Sequence, residues 1–250
     1  MSATNEIQTE KLTFRMFKDG EKPGSYKRMQ DNIFQASWSY KCPTYIQSTP
    51  PCQGSCPSGE DIRGYLNIVR GIEKPPVGAD GKPVMPWQEY AWRRLTEANP
   101  LPAVMGRVCP APCETGCNRN QVEDHVGINS VEHYLGEYAI KNNLQFKKPE
   151  KLTGKKVAVI GGGPAGLSVA YQLALKGHSC TIFDDHEFLG GMMRYGIPGY
   201  RTPRDVLDAE IQRILNLGVE AKMKCKIGVD ITLEQIRKDY DAVFLGLGAQ

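Results

Sequence analysis

Val157-Ala158-Val159-Ile160-Gly161-Gly162-Gly163-Pro164-Ala165-Gly166 decides the fold, because an apolar run leads straight into a glycine-rich turn and then into a helix-compatible stretch from about Ala165 to Lys176. A short β-branched run of this kind reads as a strand of a parallel sheet, buried on both faces. Gly161 permits the tight turn, Gly163 lets backbone N–H groups approach phosphates, and Gly166 lets the helix lie close on the strand. The positive end of the helix dipole then favours a pyrophosphate. A second strand, Ser179 to Phe183, ends at Asp184, 18 residues beyond Gly166, where a carboxylate can accept hydrogen bonds from a ribose diol. Strand, turn, helix, strand and terminal acid in that order predict a doubly wound, Rossmann-like unit that binds a nucleotide. Asp185 is adjacent, and either acid alone could be a solvated turn residue.

Upstream of this unit lie six of the chain's eight cysteines, in two sets: Cys42, Cys52 and Cys56, then Cys109, Cys113 and Cys117. Thiolates are soft ligands for iron-sulfur clusters or zinc. Clustered cysteines in a reducing compartment point to ligation, whereas a secreted disulfide scaffold is a shorter chain with more evenly spread cysteines. His125 and His133 could join a zinc site, yet the spacings lack a paired CxxC. A thiolate centre beside a dinucleotide site points to an electron-transfer flavoprotein. Cys180 and Cys225 read as small apolar fillers. His178 and His186 read as solvated, and Trp38, Trp87 and Trp92 as packing residues.

With 250 residues and 40% hydrophobic content, the chain has material for about two packed domains. Its +3 charge comes from 31 bases against 28 acids with no long basic run, which gives no reason to invoke nucleic acid or a membrane surface. The N-terminus lacks an apolar signal region and no stretch could span a membrane, so a cytoplasmic location is expected.

Residues 1–40 read as a polar N-terminal arm, 41–150 as a small all-α domain holding the cysteines, and 151–250 as the first part of the nucleotide-binding domain, incomplete at its C-terminus. Within the helical domain, Ser58 is expected to cap a helix carrying Ile62, Leu66 and Val69. Pro86 is expected to start another, with Trp87, Tyr90, Ala91 and Leu95 inward. Asn129 and Glu132 are expected to cap a third, with Val131, Leu135 and Ala139 on one face. Residues 145–155, charged and broken by Pro149, read as a linker.

Three further stretches carry a family resemblance: Pro51-Cys52-Gln53-Gly54-Ser55-Cys56-Pro57, Gly106-Arg107-Val108-Cys109-Pro110-Ala111-Pro112-Cys113-Glu114-Thr115-Gly116-Cys117, and Leu189-Gly190-Gly191-Met192-Met193-Arg194-Tyr195-Gly196-Ile197-Pro198. Over residues 38–250 the chain resembles the FAD and iron-sulfur module of glutamate synthase small subunits, shared with the N-terminal part of dihydropyrimidine dehydrogenase and related NAD(P)H oxidoreductases. The flavoprotein of dissimilatory sulfur oxidation is a related member.

The resemblance implies FAD at the first nucleotide site, held by Gly161, Gly163, Pro164, Ala165, Gly166, Asp184, Gly190, Gly191, Met192, Arg201 and Gly248. It also implies two 4Fe-4S clusters whose ligands alternate between the sequence sets, with Cys42, Cys52 and Cys117 on one and Cys56, Cys109 and Cys113 on the other. Each set is one ligand short. Glu132 falls where the family completes the second cluster, beside its plain reading as a helix cap. For the first, the family's further cysteine is replaced by Ser39, and the segment 43–51 is long.

The implied activity is hydride transfer between NAD(P)H and FAD, then single-electron steps through the clusters to or from a redox partner protein or large catalytic subunit; no residue is nominated as a general base. NAD(P)H would be handled by a domain beyond residue 250 or by a companion chain. A non-catalytic electron-relay or docking subunit, a glutamate synthase small subunit proper, and a zinc-stabilised module remain as alternatives.

Overall fold

The computed structural model describes residues 49–248, and the chain from Pro50 onward forms one compact unit. Cys42, Ser39 and the proposed N-terminal arm lie outside the described residues.

The sequence Lys156–Ile160 forms β1, Ser179–Phe183 forms β2, Glu220–Lys222 forms β3 and Ala242–Leu245 forms β4. They make a parallel sheet in the order β3-β2-β1-β4, with Val157 opposite both Cys180 and Ala242. The chain winds outward from β1 to β3 and then returns to the other side of β1. The C-terminal end of β1 is therefore a switch point, where open parallel sheets bind ligands. Pro164–Leu175, the helix after the glycine turn, packs Leu167, Ala170, Tyr171 and Ala174 into the core.

The residues before β1 are helical: α1 Pro51–Ser55, α2 Ile62–Val69, α3 Trp87–Leu95, α4 Pro102–Val108, α5 Pro112–Thr115 and α6 Ile128–Lys141. The helix Pro164–Leu175 is then α7, followed by α8 Met192–Tyr195, α9 Arg204–Leu215 and α10 Leu233–Asp239. α9 was not anticipated, although Val206, Leu207, Ile211 and Ile214 recur at helical spacing and are all buried.

Several expected details give way. Asp61, not Ser58, caps α2, accepting from the Gly64 N–H at 3.1 Å. Its buried face runs through Ile62, Tyr65 and Ile68, so Leu66 and Val69 sit at the margin. On α3 it is Trp92 that is fully buried, while Trp87 is exposed. The helix α6 starts at Ile128 behind Gly127 and has no side-chain cap, so Asn129 and Glu132 do not form a capping pair.

α4 and α6 cross in direct backbone contact. A Cβ on Gly136 would lie 2.3 Å from the Ala103 nitrogen, and one on Gly106 would lie 2.5 Å from the His133 Cα. The N-terminus of α4 is closed from the other side by Glu210 of α9, whose two carboxylate oxygens each accept a backbone N–H, from Ala103 and Val104, at 2.9 Å. That carboxylate satisfies two of the donors a helix start leaves orphaned and lies at the favourable end of its dipole.

Residues 145–155 hold no regular element, but the segment is anchored: Phe146 is buried between Trp92 (ring centroids 5.2 Å apart) and Tyr171 (4.6 Å). Each such aromatic pair adds about 0.5–1.5 kcal/mol beyond the area it buries. Arg213 of α9 stacks over both Trp92 and Phe146 and donates from Nε to the Leu144 carbonyl at 2.8 Å. One hydrophobic core thus runs from Trp92 and Leu101 through Val159 and Leu167 to Ile214.

Candidate functional site

Three stretches distant in sequence meet at the C-terminal end of β1. Gly161 has φ +105°, and a Cβ there would stand 2.2 Å from the Gly246 carbonyl oxygen, beside the exit of β4. A Cβ on Gly166 would stand 1.8 Å from the Gly161 oxygen. Both positions exclude any side chain. The Gly190 N–H donates to the Gly162 carbonyl at 2.8 Å, and Gly191, at φ +48°, lies so close to Gly163 that its Cβ would be 2.7 Å from that Cα.

The turn 161–166, the double glycine and the loop 246–248 therefore form one cradle of bare backbone at the start of α7. Pro164 and Ala165 are exposed on its first turn, Met192 is exposed at the start of α8, and Gly248 is exposed with φ +74°. Exposed backbone with no side chains in front of it is what a bulky dinucleotide requires.

Asp184 is the acid held at this turn. Its Oδ2 accepts the Gly162 N–H at 2.6 Å, and its Oδ1 accepts the His186 backbone N–H at 2.9 Å. Its Oδ1 also lies 2.9 Å from the His186 Nδ1, so of the roughly four acceptor sites of a carboxylate about one remains for a ribose hydroxyl. Asp185 turns outward, pairing with the His186 Nδ1 at 2.8 Å. His186 is thus exposed, but its ring nitrogen sits against both carboxylates instead of being merely solvated. Arg201 stands exposed on the turn after Pro198, to whose carbonyl its backbone N–H is bonded at 3.0 Å.

The cysteines lie where α1, α4 and α5 end together. Cys52 is in α1 and Cys56 follows it, Cys109 caps α4, Cys113 is in α5, and Cys117 opens a 3-10 turn at Asn118–Gln121. α1 packs on α5, closely enough that a Cβ on Gly116 would meet Ser55 Oγ at 2.7 Å.

This packing interleaves the two sequence sets. The Cys52 thiol is raised by the charge of Cys117, whereas Cys109 is raised by that of Cys56, and Cys113 by those of Cys109 and Cys56. Burial pushes the Cys52 and Cys109 thiols up, and the Cys113 thiol up to about 12, with neighbouring sulfurs adding to the effect. Such thiols are poor nucleophiles at neutral pH and release protons on binding a metal. The loop between Cys109 and Cys113 is shaped around sulfur: Ala111 holds φ +50°, and its N–H donates to Cys109 Sγ at 3.4 Å. A non-glycine residue in this region is strained, a cost of about 1–3 kcal/mol that concentrates at functional sites.

A polar pocket adjoins Cys56, Cys109 and Cys113. Glu60, Asn99 and Glu132 are all buried, and Asn99 donates from Nδ2 to Glu132 Oε1 at 2.5 Å while its own Oδ1 accepts the Leu101 N–H at 3.0 Å. Burial, then the nearby Glu60 charge, pushes Glu132 up to about 9. Burial raises Glu60 as well, partly offset by its hydrogen bond to Asn99. Glu60, Asn99 and Tyr65 were not picked out as site residues in the sequence, and no local motif marks them.

The chemistry of the donor set fits a cluster better than a single zinc ion. Tetrahedral zinc, with Zn–S of about 2.3 Å, draws its thiolates to roughly 3.8 Å of one another, and among the described residues no three cysteine sulfurs lie within 4.8 Å of each other. A cubane holds its thiolates at the corners of a larger cage. His125 and His133 pair instead with Glu114 (3.1 Å) and Glu137 (3.6 Å). The Asp184, Asp185 and His186 group does bring three ligand atoms together, but these belong to the nucleotide turn.

Fold and site together define a helical, cysteine-ligand domain joined to a dinucleotide-binding Rossmann-like domain. Residues 83–144 match the family described as dihydropyrimidine dehydrogenase domain II, 4Fe-4S cluster, and residues 159–213 match the NAD(P)-binding Rossmann-like domain. The chain is 37% identical over 222 residues to the NADP(+)-dependent formate dehydrogenase subunit beta of Moorella thermoacetica, covering 80% of this chain and 29% of that one. It is 39% identical to the NADPH-Fe(3+) oxidoreductase subunit beta of Geobacter sulfurreducens (80% and 28%) and 37% identical to the glutamate synthase [NADPH] small chain of Bacillus subtilis (81% and 40%).

Over about four fifths of its length the chain is thus similar to glutamate synthase small chains and related NAD(P)H-dependent oxidoreductase subunits. It spans less than half the length of these relatives. Among the described residues, no helix is long and apolar enough to cross a membrane.

Proposed function

We propose that this chain is the iron-sulfur and FAD-binding part of an NAD(P)H-dependent oxidoreductase, passing electrons between a nicotinamide nucleotide and a redox partner protein or large subunit. FAD would lie in the cradle of Gly161 to Gly166, Gly190 to Met192 and Gly248, with Asp184 on its ribose and Arg201 available to a phosphate. Cys56, Cys109 and Cys113, with Glu132 as the fourth candidate, would hold one 4Fe-4S cluster. Cys52, Cys117 and Cys42 would hold the other.

The observation that carries this reading is the interleaving of the cysteines at the end of α4, a helix whose other end is fixed by Glu210 of the nucleotide-binding domain. A flavin accepts electrons in pairs and a cluster carries them singly, so the two belong in one body. The protein's own contribution is positional. Backbone N–H groups of α7 would meet the pyrophosphate, the bare glycines would admit the cofactor, and the half-buried cysteines around buried Cys113 would hold the metal. NAD(P)H would be engaged by a further domain or a companion chain.

The test is an anaerobic absorption spectrum with iron, sulfide, zinc and flavin quantified on the same sample. About eight irons per chain with stoichiometric flavin are expected for two clusters. Cys113→Ser should remove one cluster's signal and Cys52→Ser the other's. Zinc without iron or sulfide would sink the proposal.

A further inference from the structure

Tyr65 is completely buried on α2, and among the described residues its hydroxyl has no hydrogen-bond partner. Leaving a buried hydroxyl unpaired costs about 1–3 kcal/mol, and native structures rarely do so without cause. The ionisable groups that act on this hydroxyl are Glu60, Glu132, Cys113 and Cys56. Glu132 is already engaged by Asn99, and so is Glu60. None of these carboxylates or thiols comes within hydrogen-bonding distance of the Tyr65 oxygen. The hydroxyl therefore faces the neighbourhood of two of the three grouped cysteines with a donor to give and no protein acceptor to receive it.

We propose that the Tyr65 hydroxyl donates a hydrogen bond to a sulfur of the cluster held by Cys56, Cys109 and Cys113, and so raises that cluster's reduction potential relative to its neighbour's. The inference rests on the reading of these cysteines as cluster ligands and adds a residue that tunes them. A cluster brings inorganic sulfides into the space between the thiols, and these supply the missing acceptor. Donation to sulfur favours the reduced, more negative cluster, and hydrogen bonds of this kind are one of the ways a protein sets cluster potential. The cysteines that act most strongly on Tyr65, Cys113 and Cys56, both belong to this one set. The effect should therefore fall on one cluster alone.

Tyr65→Phe tests this, because it removes the donor and keeps the ring that packs beneath the site. Iron and acid-labile sulfide are measured first on the parent and variant chains with their cofactors, and both are then titrated redox-potentiometrically under electron paramagnetic resonance. The expected result is unchanged iron and sulfide, a lower midpoint for the cluster lost in Cys113→Ser, and an unmoved midpoint for the other. Retained clusters with both midpoints unmoved would overturn the inference.

Should the variant fail to hold iron, the parent chain decides. Its reduced cluster should show a strongly coupled proton that exchanges only slowly in heavy water, as a fully buried hydroxyl requires, and absence of such a proton would also overturn the inference. A parent chain without iron and sulfide would instead refute the cluster reading itself, which keeps the two failures apart.

Discussion

Replacing Glu210 with glutamine gives a measurable handle on how the two halves of the chain are joined. This carboxyl is fully buried, and desolvation pushes it up from 4.5 to about 7 even though two backbone N–H groups and the Arg213 charge favour its ionised form. A carboxyl raised in this way binds its proton more tightly folded than unfolded. Its contribution to stability is therefore complete below about 4.5 and is lost as the pH rises through about 7. A shift of that size is worth on the order of 3 kcal/mol in full, of which roughly 2 kcal/mol falls between pH 5.5 and 8.5.

Glutamine cannot ionise and keeps one acceptor for the start of α4. The variant loses a roughly constant amount, about 1 kcal/mol for the weakened hydrogen bonds, and lacks the pH-dependent part. Urea denaturation of parent and variant, side by side and anaerobically from pH 5.5 to 8.5, should show the gap between them shifting by roughly 2 kcal/mol in the variant's favour as the pH rises. A gap independent of pH would refute the reasoning and mean that the carboxylate is fully compensated by its partners.

Gly136→Ala drives a methyl into the Ala103 backbone, where neither helix can yield cheaply. A loss of about 3 kcal/mol, the upper end for overpacking, is expected in denaturation, together with loss of iron as α4 is pushed off α6. Gly161→Ala should cut flavin retention at least about tenfold, equivalent to about 1.4 kcal/mol, while the helical signal in circular dichroism is kept; unchanged flavin content would count against the cradle.

The strand, turn, helix and strand of the nucleotide-binding domain were legible because hydrophobic period and glycine placement agree there and little else competes. The helical domain was harder. Its helices were foreseen at Ile62, Trp87 and near Asn129, but the caps were not: Asp61, a local rival, takes the start of α2 from Ser58, and the Asn129 N–H goes to distant Glu114. Glu132 looked like half of a capping box and instead faces Asn99, 33 residues away. Glu210 was invisible for the same reason: its partners lie more than a hundred residues upstream. Short α4 and α5 hid behind Pro102 and Pro112, each the first residue of its helix and so tolerated there.

Phe146 changes what the stretch between the halves can do. Charged and proline-broken, it looks like a hinge, yet its ring is gripped by Trp92 on one side and Tyr171 on the other. A chain clasped in this way has no swing to offer. The span between the glycine cradle and the thiols is then held at a fixed length, so groups bound at its two ends would keep one separation.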